Sequence, residues 1–109
     1  MNAEDQFDRV QAIYPDAVAL VEGGRTFVHL PELVIATRTG PVTRDALLCP
    51  HEHSGYKTRL FLDAAVPGHL ANWTQHNLFT RTWFTWSWNY IVAEQPWTSI
   101  LANHLAAFR

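Results

Sequence analysis

Five tryptophans in a chain of 109 residues, four of them within Trp83-Phe84-Thr85-Trp86-Ser87-Trp88 and at Trp97, constrain the fold more than any other feature. An indole brings roughly 150–250 Å2 to bury, and its N–H needs an acceptor once buried. So much bulk in one segment must pack on a sheet or meet a partner, because tryptophan is enriched where interfaces draw their affinity. Thr85 and Ser87 alternate with Trp86 and Trp88, as on the surface side of an extended strip. The segment is expected to divide, with Trp83 or Trp88 in the core and Trp86 partly exposed.

What precedes that segment supplies the sheet. Phe7, Val10, Ile13 and Tyr14 recur at helical spacing, with Glu4, Asp5 and Asp8 in the first turns where they favour the helix dipole. They predict a helix over Ala3–Ile13 that Pro15 stops. Two β-rich runs, residues 17–21 and 25–30, flank Gly23-Gly24 and read as a hairpin, since glycine takes the positive φ of a tight turn without cost. Residues 33–37 extend the second strand beyond a kink at Pro31, which cannot donate to a ladder. After a loop at Thr39-Gly40-Pro41, Ala46-Leu47-Leu48-Cys49 reads as a third strand buried on both faces. Residues 50–56 form a polar turn, residues 58–63 a fourth strand, and residues 64–90 show no clear period. Residues 96–108 close the chain as a helix with Pro96 in its first position and Trp97, Ile100, Leu101, His104, Leu105 and Phe108 on one face. The order predicts a single α+β domain over residues 1–109: N-terminal helix, four-stranded antiparallel meander, long aromatic loop, C-terminal helix.

Composition narrows the function. With 48% hydrophobic residues the chain can fill a core without disulfides or a structural metal. Its basic residues are scattered and its net charge is −2, which leaves no phosphate-tracking footprint and argues against nucleic acid. Cys49 is the sole cysteine, so no internal disulfide or cysteine-cluster metal site can form, in keeping with a reducing cytoplasm. The acidic start is no signal peptide, and no apolar run approaches the roughly 18 residues of a membrane span. A cytoplasmic protein with no membrane contact is expected. Lys57 is the only lysine among eight basic residues. That bias fits an arginine-favouring genome, or a protein that handles activated carboxyl groups and keeps amines away from them.

Taken in order, several short motifs follow the pattern of a known family. They are Tyr14-Pro15-Asp16, Leu47-Leu48-Cys49-Pro50, Gly55-Tyr56, Leu60-Phe61-Leu62-Asp63, the run from Trp83 to Asn89, and Pro96-Trp97 with His104-Leu105. Over most of its length the chain resembles the prokaryotic ubiquitin-conjugating-enzyme-like proteins (UBC-like fold, prokaryotic family E). That resemblance implies a UBC-like scaffold in a bacterial ubiquitin-like conjugation pathway, of the kind often encoded in antiphage defence loci. The implied partners are the ubiquitin-like protein and its activating enzyme, met through Trp86, Trp83, Trp88 and Tyr56, with no cofactor.

One departure from the family decides catalysis. A conjugating enzyme needs a thiolate, and the family's loop offers His-Pro-Asn with the cysteine about ten residues further on. Here His76-Asn77 lacks the proline, and the place of the cysteine holds Thr85-Trp86-Ser87. Cys49 lies on the third strand, the wrong element, and free cysteine is among the most buried residue types. The resemblance therefore implies a non-catalytic, cysteine-less binding subunit with no catalytic residue. Two alternatives stay open. Thr85 or Ser87 could form an oxyester, with His76 as base and Asn77 as oxyanion donor. His51-Glu52-His53, with His69 and His76, could instead serve a small His-dependent metalloprotein. Against a metal, Tyr56-Lys57-Thr58 stands where a cupin-type site has its glutamate, and the strands are too few for a jelly roll. The default is a solvated turn without metal, and a packed His104.

Overall fold

The computed structural model describes residues 2–88 and 91–109. Helix α1 (Ala3–Ile13) lies where the spacing places it. Asn2 caps it, its Oδ1 accepting from the Asp5 N–H at 2.8 Å, and Glu4 and Asp5 follow in the first turn. Val10 is fully buried, flanked by half-buried Phe7 and Tyr14, so the helix meets the sheet through one narrow stripe. Strands β1 (Val18–Glu22) and β2 (Arg25–Thr37) are joined by Gly23 and Gly24 at φ 60° and 76°, the left-handed pair that a two-residue primed turn demands. Strands β3 (Gly40–Cys49) and β4 (Arg59–Leu62) continue the antiparallel run.

The kink at Pro31 is a bulge. Leu30 pairs with Ala46 and Leu33 with Arg44, so Pro31 and Glu32 together face Asp45. Glu32 sits at φ 52°, and its N–H donates to Asp45 Oδ1 at 2.9 Å. The extra residue moves the inward set from Val28 and Leu30 to Leu33 and Ile35, which keeps all four in the core.

Beyond β4 the fold departs from the expected UBC-like four-stranded meander. The stretch expected to be a long aromatic loop contains a hairpin, β5 (Thr74–Leu78) and β6 (Arg81–Thr85). The protein is α+β with one six-stranded antiparallel sheet, order β1-β2-β3-β4-β6-β5, and two helices among the described residues. Two physical features conceal this hairpin from sequence reasoning. Strand β5 reads Thr-Gln-His-Asn-Leu, polar and largely exposed, so no apolar alternation marks it. Its turn is Phe79-Thr80, at φ 52° and 59°, where Asn-Gly is the usual chemistry. Phe79 is held there by an edge-on contact with Phe27 at 5.4 Å and by its N–H on Glu22 Oε1 at 3.0 Å.

Two apolar clusters result. Under the helices, Val28, Leu30, Leu48, Leu60 and Leu62 pack with Val10, Trp86, Ile100, Leu101 and Phe108. On the opposite face, Phe27, Leu47, Cys49 and Phe61 pack with Leu78 and Trp83 of the hairpin. The hairpin leans across that face. Arg81 pairs with Asp45 of β3 at 3.4 Å, and His76 meets the Phe61 ring of β4 at 5.5 Å. Ala46, Leu47, Leu48 and Cys49 are all 0% exposed, as a strand covered on both faces must be. Helix α2 (Trp97–Ala106) has Pro96 at its N-cap, one place before the expected position, with the Pro96 carbonyl accepting from the Ser99 and Ile100 N–H groups. Among the described residues no helix is long and apolar enough to cross a membrane.

Candidate functional site

The polar turn between β3 and β4 gathers most of the chain's chemistry. Glu52 and Ser54-Gly55 shape it: the Gly55 N–H donates to Glu52 Oε1 at 3.0 Å, and His53 and Tyr56 exchange backbone bonds at 2.8 and 3.0 Å. This curl sends alternate side chains to opposite sides of the sheet. His51 packs edge-on against Trp97 of α2, centroids 6.2 Å apart. His53 instead turns to the hairpin face, against Phe61 at 5.2 Å and His76 at 5.5 Å. The two histidines of the His-Glu-His motif are thereby separated. His69 bonds Thr39 Oγ through Nε2 at 3.0 Å, elsewhere in the fold. Among the described residues no three His, Cys, Asp or Glu side chains converge as metal ligands.

The candidate nucleophiles are engaged in structure. Cys49 is fully buried, its thiol donating to the His51 carbonyl at 3.4 Å, and burial pushes its pKa up. Thr85 is 1% exposed and donates to the Leu60 carbonyl at 2.8 Å, where its hydroxyl supplements a β4–β6 ladder that pairs only at Leu62 and Phe84. Ser87 is half-buried and accepts from the Tyr56 hydroxyl at 3.0 Å. His76 bonds Thr74 Oγ through Nε2 at 3.0 Å and pairs across the hairpin with Trp83, not with either hydroxyl. Asn77 accepts from Thr82 Oγ at 3.3 Å. A nucleophile with its base in hydrogen-bond reach is therefore not assembled from these residues.

The aromatic strip divides differently from the expectation. Trp83 and Trp86 are each 2% exposed, so Trp86 is a core residue and not a partly exposed one. Trp83 belongs to the hairpin cluster, donating Nε1–H to the Leu78 carbonyl at 3.0 Å. Trp86 lies in the helix-side core against Phe108 at 5.0 Å and Trp73 at 5.4 Å. Three residues apart, the two indoles fall on opposite faces, and both faces are covered, so neither is left exposed. Trp88 and Tyr56 are half-buried, Trp88 against the core; Asn89 lies outside the described residues.

Two features escape sequence reasoning. The first is Arg59, 4% exposed in a strand whose other three residues are apolar and fully buried, with its guanidinium 3.9 Å above the Tyr56 ring. An arginine directly before the apolar run Leu60-Phe61-Leu62, within the expected strand 58–63, is the available signal. Burial, and then the charge of Arg59, lowers the pKa of His76; burial, then His76 and Arg59, lowers that of His53. The second is strand β1, which forms one edge of the sheet. Val18 and Val21 are 47% and 67% exposed there. A cleft of about 270 Å3 lies before the start of β1, between the end of α1 and the β2 bulge; Ile13, Ala17 and Val34 line it and no β1 residue does. Comparisons with protein-family models, with curated proteins and with solved structures each return no match.

Proposed function

We propose that this chain is a non-catalytic protein-binding domain that receives an extended segment of its partner along β1. The partner class is a cytoplasmic ubiquitin-like protein or the enzyme that activates it, a choice resting on the order of the sequence motifs and not on the fold. The observation that carries the reading is the undefended edge. Sheets usually blunt an edge with lysine, proline or a bulge. Val18-Ala19-Leu20-Val21-Glu22 has none of these, and its one charge is Glu22 at the end of the strand, whose Oε1 accepts from the Phe79 N–H. Strand addition draws affinity from main-chain hydrogen bonds and specificity from pockets for alternate side chains. The engaged state of Cys49, Thr85 and Ser87 supports the non-catalytic part.

Mixing with a ubiquitin-like protein, its activating enzyme and ATP is expected to give a complex on size exclusion and no reductant-resistant adduct. Val18→Lys combined with Val21→Lys should weaken that complex by roughly tenfold or more. Thermal stability should hold, because both side chains are exposed. A complex indifferent to the two lysines would remove β1 as the docking edge. An adduct lost in the Thr85→Ala, Ser87→Ala double variant would make the protein an enzyme.

A further inference from the structure

We propose that Arg59 is the floor of a binding site for an oxyanion, carboxylate or phosphate, at the end of the sheet where β3 runs into β4. This goes beyond the β1 reading and uses none of its residues. Arg59 stands opposite Cys49 in the β3–β4 ladder, and its buried Nε–H has no acceptor among the described residues. The ion pairs among the described residues are Arg25 with Glu52 and Arg81 with Asp45, and neither includes Arg59. Its one contact of note is the face of Tyr56. A cation–π contact offsets only part of the cost of taking a guanidinium out of water. Among the described residues no acid pairs with this guanidinium.

The neighbours do not fill the deficit. Arg25, a second cation, acts on His53 together with Arg59, and neither His53 nor His76 brings a negative charge. Glu52, the acid beside them, already serves Arg25 and the Gly55 N–H. Tyr56 gives its hydroxyl proton to Ser87, Cys49 is held as a neutral thiol, and His104 lies on the far side bonded to Thr58. His53 and His76 each spend one ring nitrogen, on Ser54 and Thr74, and each keeps a second without a hydrogen bond among the described residues. An oxyanion seated on the guanidinium would supply the missing negative charge, and the planar fork of arginine matches the two oxygens of a carboxylate or phosphate. His53 and His76 lie within a ring contact of each other and of Phe61, which stands two residues from Arg59 on β4, and the proposed site extends to them.

The test titrates the wild-type protein with sodium phosphate, and separately with sodium acetate, against sodium chloride at equal ionic strength. Nitrogen–proton NMR follows the Arg59 Nε–H and the rings of His53 and His76. A saturable shift at Arg59, with both imidazole pKa values rising as the neighbouring charge is neutralised, is the expected result. A response to phosphate alone identifies a phosphate ligand, and a response to acetate a carboxylate. Arg59→Met keeps the length without the charge and should lose the anion-dependent rise in Tm that the wild type shows. Chloride giving the same shifts, or Arg59→Met keeping that rise, overturns the proposal. If Arg59→Met does not fold, the wild-type titration decides, and no saturable shift at Arg59 defeats the site.

Discussion

Thr58 has a single hydroxyl proton, and the Ile91 carbonyl takes it at 2.9 Å. The same oxygen must therefore accept from His104 Nε2–H, 2.9 Å away, which sets the tautomer of a histidine that is 2% exposed. Burial, and then the Arg59 charge, lowers the His104 pKa to about 3, so the ring is neutral in the folded protein. Unfolded, the same imidazole titrates near 6.5. Between those values the unfolded chain binds a proton that the folded chain does not, so stability falls as pH falls. The slope from His104 approaches about 1.4 kcal/mol per pH unit below its unfolded pKa and flattens near pH 3. His53 and His76, also lowered, act in the same direction. Asp45, its pKa lowered chiefly by the Glu32 N–H, gives up its stabilisation at the acid end, as pH drops through its folded value. Denaturant unfolding from about pH 7 to about pH 4 is the measurement: wild type should show this decline and His104→Gln a shallower one. Equal slopes would show that His104 is not the buried neutral group described. The residue's place on the inner face of α2 is readable from helical spacing. Its tautomer is not, because Thr58 is remote in sequence.

At the scale of elements, the two tight hairpins were unequally legible. Gly23-Gly24 announces the first turn, since a primed turn needs two positive φ angles and glycine provides them. Phe79-Thr80 occupies the same left-handed geometry without that help. A β-branched residue there is strained by about 1–2 kcal/mol. The strain is accepted because Phe79 gains Phe27 and Glu22, contacts that local sequence cannot reveal. Thr80→Gly is therefore expected to stabilise the protein by roughly 0.5–1 kcal/mol, after the entropy cost of glycine is counted. Phe79→Gly should destabilise it instead, by removing the ring from Phe27. Thermal unfolding of the two variants should move Tm in opposite directions. A fall in both would mean that Thr80 is held by something other than turn geometry.

At the scale of the whole molecule, the β5–β6 hairpin joins the sheet at one register pair, Leu62 with Phe84, and otherwise holds by side chains across the outer face. Strands β2 and β3 pair at eight positions, so the hairpin is expected to open below the global unfolding free energy. Native-state hydrogen exchange should show faster exchange for amides of β5 and β6 than for those of β3. Phe61→Ala, deleting a ring that is 0% exposed beneath the hairpin, should cost about 3–5 kcal/mol and widen the gap. Uniform protection across the six strands would contradict this division.

The chain's own sequence determined helix α1, the β1–β2 turn, the kink at Pro31, the doubly buried β3 segment and the apolar face of α2. Each of these is set by local propensity or by the period at which apolar residues recur, and both are properties of neighbours in sequence. Tertiary structure alone decided that the aromatic stretch pairs as a hairpin, that Trp86 goes inward, that His51 and His53 part company and that Arg59 has no acid beside it among the described residues. Those outcomes depend on which distant surface each side chain meets, and the free energy of burial and of unpaired charge is settled only when the two sides of the sheet close.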